Sequence, residues 1–105
     1  IVSGGENIST QQVEKVLMGH AAVLEVAVVA IPSDRWGEVP KAFVTLKPER
    51  SVDAAELERF ARVQLAAFKV PKIYEFGPLP KTSTGKIQKY VLREREWIGK
   101  TKRVN

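Results

Sequence analysis

Val23-Leu24-Glu25-Val26-Ala27-Val28-Val29-Ala30-Ile31 is an almost unbroken apolar run, rich in valine. Branching at Cβ restricts a side chain in a helix but suits the pleated surface of a sheet. A strand with apolar side chains at both odd and even positions has two faces to bury. The run therefore predicts a strand covered on both sides, ended by Pro32. A second strand is expected over Lys41–Lys47, where Ala42, Val44 and Leu46 alternate with Lys41, Phe43, Thr45 and Lys47. That alternation predicts a strand with only one buried face.

Helical signals flank these strands. Ser9 is a good N-cap with Gln12 three residues on, Val13, Val16 and Leu17 have helical spacing, and Gly19 is a stop. Asp53 and Glu56 start a second helix whose buried stripe is Leu57, Phe60, Ala61, Leu65 and Phe68, ending at Val70-Pro71. Lys72–Phe76 reads as a short strand and Ile87–Trp97 as a last helix, with residues 99–105 a frayed, flexible tail. Ile1–Ile8 reads as a short hairpin or turn on Ser3-Gly4-Gly5. The expected class is α+β: a small mixed or antiparallel sheet with helices packed on it, plus the Gly-rich amino-terminal hairpin.

With 105 residues, 44% of them hydrophobic and 28% charged, the chain holds one small domain. It opens on Ile1 in the middle of an apolar element, which suggests a piece of a longer protein. No apolar run approaches the ~20 residues of a membrane helix, and no signal-peptide pattern opens the chain. Cysteine is absent, so disulfides and thiolate metal sites are excluded, and a reducing compartment such as the cytoplasm is expected. The net charge of +5 is uneven: residues 80–105 carry eight basic and two acidic side chains, while residues 1–79 carry nine and ten. Anions should be drawn to the carboxyl-terminal quarter.

Several chemistries fail on their motifs. A Walker A loop would need glycine at Pro80 and Ser or Thr at Ile87. Ser3-Gly4-Gly5 does not extend into a dinucleotide fingerprint. His20 is the sole histidine and is read as a surface residue at a helix end, so a zinc site or a Ser-His-Asp triad is not expected. The basic tail leaves open an anion- or nucleic-acid-binding module, although Tyr90 and Trp97 stand at helical spacing, which packing explains more simply than base stacking.

Leu79-Pro80-Lys81-Thr82-Ser83-Thr84-Gly85-Lys86 carries the main functional signal. Pro80 stiffens the base, Gly85 permits a backbone turn, and Lys86 places a point charge on a flexible stem. Such a cation suits chemistry on carboxylates and phosphates. On composition alone, a solvated surface lysine explains it as well.

A resemblance separates the two readings. Ser3-Gly4-Gly5-Glu6-Asn7, Val13-Glu14 with His20-Ala21-Ala22-Val23, Asp34-Arg35-Trp36-Gly37-Glu38 with Ala42-Phe43-Val44, Phe68-Lys69-Val70-Pro71-Lys72 and Leu79 to Lys86 occur in order. Together they resemble the carboxyl-terminal domain of AMP-forming adenylate-forming enzymes, most closely the fatty-acid–CoA ligases among acyl-CoA synthetases. The resemblance implies that residues 1–98 form a mobile lid domain whose partner is its own amino-terminal domain, absent from this sequence. It implies a two-step reaction in which a carboxylic acid and ATP give an acyl-adenylate, and coenzyme A then displaces AMP. ATP and Mg2+ would be bound mainly by the missing domain, and this chain would hold no metal.

By the same resemblance Lys86 is the adenylation lysine, with Pro80 and Gly85 positioning its loop. Ser3, Gly4, Gly5 and Glu6 would line the channel for coenzyme A and its pantetheine arm. Arg62 and Lys69 are candidates for its phosphates. Val2 departs from the lysine many relatives carry, so no contact is assigned to it. An adenylation domain that loads a carrier protein is the alternative reading. No nucleic acid is expected as a partner, and the fragment alone is expected to be inactive.

Overall fold

A computed structural model describes residues 1–98; the expected tail at 99–105 lies outside the described residues. The elements are β1 (Val2–Ser3), β2 (Glu6–Asn7), α1 (Thr10–Met18), β3 (Val23–Ser33), β4 (Gly37–Leu46), α2 (Ala54–Arg62), a 3-10 turn (Ala67–Lys69), β5 (Ile73–Phe76) and α3 (Lys89–Trp97). The five strands form one mixed sheet. β4 pairs antiparallel with β3 along one edge; its other edge carries β1, antiparallel, and then β5, parallel.

The periodicity of β3 sorts the core. Val26 and Val28 join Val13, Leu17, Leu57 and Ala61 under α1 and α2. Ala27, Val29 and Ile31 join Phe43 and Leu92 under α3. Both faces of β3 are therefore buried, as its composition predicts. β4 departs from the half-buried expectation: Phe43 and Lys41 are buried on the α3 face, and Ala42 and Val44 on the other. Lys41 misleads the pattern because its charge is satisfied inside. Its Nζ donates to Glu75 at 3.1 Å and Glu96 at 3.0 Å, and lies 4.7 Å from the centre of the Phe43 ring.

Both caps form as read. Ser9 Oγ accepts from the Gln12 amide and Asp53 Oδ1 from the Glu56 amide. The second helix, however, stops at Arg62 instead of reaching Val70. Leu65 still enters the core, but Phe68, on the 3-10 turn, is 44% exposed. His20 is also not the surface residue expected. Its ring is enclosed edge-on by Phe60, its Nδ1 accepts from the Ala22 amide, and its Nε2 lies 2.8 Å from Glu56. The histidine ties the exit of α1 to α2.

Pro32 does not end β3, which continues to Ser33. β3 is an edge strand, and the Val28 amide already points away from β4, toward Glu14 Oε2 at 2.8 Å. By the two-residue period the nitrogen of Pro32 faces that same outer side, where no ladder bond is lost. The Ala30 carbonyl, on the same side, accepts from the Trp97 indole at 2.8 Å.

Candidate functional site

Two features stand out, at opposite ends of the β3–β4 ribbon. The first is the loop between β5 and α3. Leu79 and Ile87 pack against the core under α3 and pin the two stems of the loop. Lys81 and Ile87 form an antiparallel bridge, the Thr82 amide donates to the Lys86 carbonyl at 2.8 Å, and the Gly85 amide to the Thr82 carbonyl at 2.9 Å. Thr82 Oγ1 accepts from the Lys86 amide at 3.0 Å and lies 3.0 Å from Thr84 Oγ1. Gly85 takes a φ of 89°, a value costly for any residue with a Cβ. At the foot, the Pro80 carbonyl accepts from the Gln88 amide. The loop is thus a closed turn whose hydrogen bonds are met internally.

Lys86 is exposed where the turn closes opposite Thr82. Lys81 lies 2.7 Å from Glu25 and Lys89 lies 2.8 Å from Glu14. Among the described residues Lys86 alone of these three has no acidic partner within 4.0 Å. The closed loop thus presents one ammonium with no acidic partner among the described residues.

The second feature is a groove of about 410 Å3 in the gap between β1 and β5. Ser3, Gly4 and Glu6 form one wall, Trp36, Val39 and Pro40 the floor, and Phe68, Lys72 and Ile73 the far side. The hairpin wall is a two-residue turn with both glycines in the left-handed region, Gly4 at φ 57° and Gly5 at 86°. Gly4 is needed twice, since a Cβ there would come 2.8 Å from Trp36 Cε3. Gly5 faces open space and does not line the groove.

Of the two phosphate candidates, neither lines the groove. Lys69 sits between the lining residues Phe68 and Val70 and donates to Gln12 Oε1 at 3.1 Å. Arg62 is exposed at the end of α2 and is not among the lining residues. Trp36 (47% exposed), Phe68 and Lys72 were not foreseen as groove residues. The signal in the sequence is an aromatic pair, Trp36 and Phe68, but helical spacing assigns Phe68 to a buried stripe.

Glu25 and Ser33 are eight residues apart on β3, roughly 27 Å at ~3.4 Å per residue. Lys81 anchors the loop at Glu25, whereas Ser33 pairs with Gly37, which pairs with Ser3 of the hairpin. Among the described residues no three His, Cys, Asp or Glu side chains converge as a metal site. Also among them, no helix is long and apolar enough to cross a membrane.

Residues 12–86 match the model of the AMP-binding enzyme C-terminal domain. The chain is 57% identical over 98 residues to an acetate–CoA ligase of Humulus lupulus, and 47% identical over 97 residues to a long-chain-fatty-acid–CoA ligase of Bacillus subtilis. These alignments cover 89% and 91% of the chain, which spans only 17% of either relative's length. Among solved structures, a Brucella canis acyl-CoA synthetase superposes with a TM-score of 0.87 at 39% identity, over 94% of this chain and 19% of that one. A Mycobacterium tuberculosis fatty acyl CoA synthetase superposes at 0.84 with 38% identity, over 90% and 19%. The chain belongs to the AMP-binding enzyme C-terminal domain family.

Proposed function

We propose that this chain is the mobile carboxyl-terminal domain of an AMP-forming acyl-CoA ligase, and that Lys86 is its adenylation lysine. The carrying observation is the exposed, unpaired ammonium of Lys86 on a closed, internally bonded loop. In the first step a carboxylate oxygen attacks the α-phosphorus of ATP, pyrophosphate leaves, and an acyl-adenylate forms. Two anions must approach for this, and their repulsion is a large part of the barrier. An ammonium between the carboxylate and phosphate oxygens holds both and steadies the charge as it shifts. In the second step the thiol sulfur of coenzyme A attacks the acyl carbon and AMP departs. The groove beside Ser3, Gly4 and Glu6 would admit the pantetheine arm, with Lys69 and Lys72 near its phosphates.

The loop is anchored at Glu25, roughly 27 Å along β3 from Ser33, whose partner Gly37 pairs with the hairpin, and this supports a domain that presents one end for each step. One rigid body cannot hold both ends at a single reaction centre. The amino-terminal domain would be the partner, holding ATP, the acid and Mg2+. Relatives named for acetate, for 2-methylpropanoate and for long-chain fatty acids share this domain at 57%, 48% and 47% identity. The choice of acid is therefore assigned to the other domain, and a fatty acid stays one candidate among these. The cytoplasm is the proposed compartment, in keeping with the absence of cysteine; the peroxisome named for an Arabidopsis thaliana relative is the alternative.

The test is Lys86→Ala in the intact enzyme. Adenylation, read by pyrophosphate exchange, should fall by at least about 100-fold. Thioester formation from supplied acyl-adenylate should continue at the parent rate. Equal loss of both half-reactions would refute the role. Replacing coenzyme A by a phosphopantetheinylated carrier protein separates this reading from a carrier-loading domain.

A further inference from the structure

The loop that carries Lys86 is moored at two points by its neighbouring lysines. On the α3 face Lys81 Nζ lies 2.7 Å from Glu25 Oε2 of β3. Past the foot of the loop, Lys89 Nζ reaches around the edge of β3 to Glu14 Oε2 of α1 at 2.8 Å, and donates to Thr10 Oγ1 at 3.3 Å. Glu14 cannot swing with its partner, because the same Oε2 accepts from the Val28 amide. Each carboxylate therefore sits on rigid structure: Glu25 in the β3–β4 ladder, Glu14 on a buried-faced helix and a strand amide at once.

From this geometry we infer that Glu14 and Glu25 are positioning residues that set where the Lys86 ammonium stands by fixing both stems of its loop. The inference rests on the adenylation role proposed for Lys86. Hydrogen bonds inside the turn fix its shape but not its attitude to the sheet, and the apolar contacts of Leu79 and Ile87 hold the stems to the core without being directional. The two charge-assisted bonds supply direction. Lys81 and Lys89 are also kept from competing with Lys86 for an incoming anion, because each is neutralised where it stands. Both pairs are partly exposed, so they add little to global stability. Their loss should disturb placement without unfolding the domain.

The experiment uses the intact enzyme with Glu14→Gln, Glu25→Gln, the double variant, Lys81→Glu, and the exchanged pair Glu25→Lys with Lys81→Glu. Glutamine at 14 keeps an acceptor for the Val28 amide and removes only the charge. The double variant should lower kcat for adenylation about 10- to 100-fold, the penalty of misplacing a reacting group by about 1 Å, with KM for the acid and ATP nearly unchanged. Thioester formation from supplied acyl-adenylate should stay within about 2-fold of the parent. Amide exchange should quicken at residues 82–86 and nowhere in β3 or α1. The exchanged pair should recover most of the rate that Lys81→Glu loses.

Equal loss in both half-reactions, a double variant with unchanged adenylation, or no recovery by the exchanged pair would overturn the inference. If Lys86→Ala leaves adenylation intact, the functional reading fails instead, and the mooring is then decided by amide exchange alone. Faster exchange at 82–86 that is restored in the exchanged pair upholds it, and unchanged exchange sinks it.

Discussion

Replacing Lys41 by alanine should cost the fold about 3 kcal/mol, a figure that follows from what the ammonium leaves behind. Lys41 is 8% exposed and holds Glu75 of β5 and Glu96 of α3 together across the sheet. Removing one member of a buried ion pair typically costs about 3–5 kcal/mol, because the abandoned charge stays desolvated. Here the cost is at the lower end, since the Glu75 side chain is 49% exposed and keeps Arg95 at 3.4 Å. Glu96, at 24%, has less freedom.

At about 4 °C per kcal/mol for a domain near 100 residues, Lys41→Ala should lower Tm by about 12 °C. Lys41→Met keeps the stem packed on Phe43 and should recover part of this. Adding Glu75→Gln and Glu96→Gln to Lys41→Met should bring stability to within about 1 kcal/mol of the parent. Burial alone would lower the Lys41 pKa, but the hydrogen bonds to Glu96 and Glu75 prevail and raise it above 10.5. Its contribution is therefore complete below pH 10.5 and lost as pH climbs through the higher native value. Thermal melts and urea titrations of the 105-residue chain from pH 7 to 12 would measure all of this. A Lys41→Met chain as stable as the parent, or a triple variant no better than Lys41→Met, would refute the reasoning.

Tyr74→Phe should stabilise the chain by about 1 kcal/mol at pH 7, because the Tyr74 hydroxyl is buried with no hydrogen-bond partner among the described residues. Burial, and then Glu58, raise the pKa of that phenol, so the unfolded chain releases its proton near 10 while the native one retains it. Stability therefore falls above pH 10 in the parent and should fall less in Tyr74→Phe, as urea titrations at pH 9 and 11 would report. Gly4→Ala should cost more than Gly5→Ala by about 1 kcal/mol or more: both suffer a positive φ, but only Gly4 meets Trp36. Urea midpoints would show the ordering, and in the intact enzyme Gly4→Ala should also slow the thioester step more.

What the sequence makes readable follows from how many constraints coincide at a residue. The Val23–Ile31 run admits one reading because both its faces are apolar, and Ser9 and Asp53 are capped as their chemistry demands. β4 is harder to read at its start, where Pro40 sits between the stretch paired with β1 and the stretch paired with β5. A proline in that gap forfeits no ladder bond, yet in sequence it looks like a break. Alternation alone places Lys41 on a solvent face, because its two acids lie 34 and 55 residues away in the chain. Phe68 was drawn into α2 by a spacing that persists after the helix has ended at Arg62. The loop around Lys86 was visible as a loop; its two anchors were not, since Glu14 and Glu25 meet Lys89 and Lys81 only through the fold.

The outer flank of β3 has a consequence for how well such a domain keeps to itself. An extended segment with bare amides and carbonyls recruits stray strands, and it is most at risk whenever it swings clear of a covering surface. Glu14 occupies the Val28 amide, Trp97 the Ala30 carbonyl, and Pro32 offers no amide, so three points along that flank are closed to a passing chain. On the proposed lid role, those closed groups would lessen the chance that the domain acquires an unwanted companion when it parts from its partner.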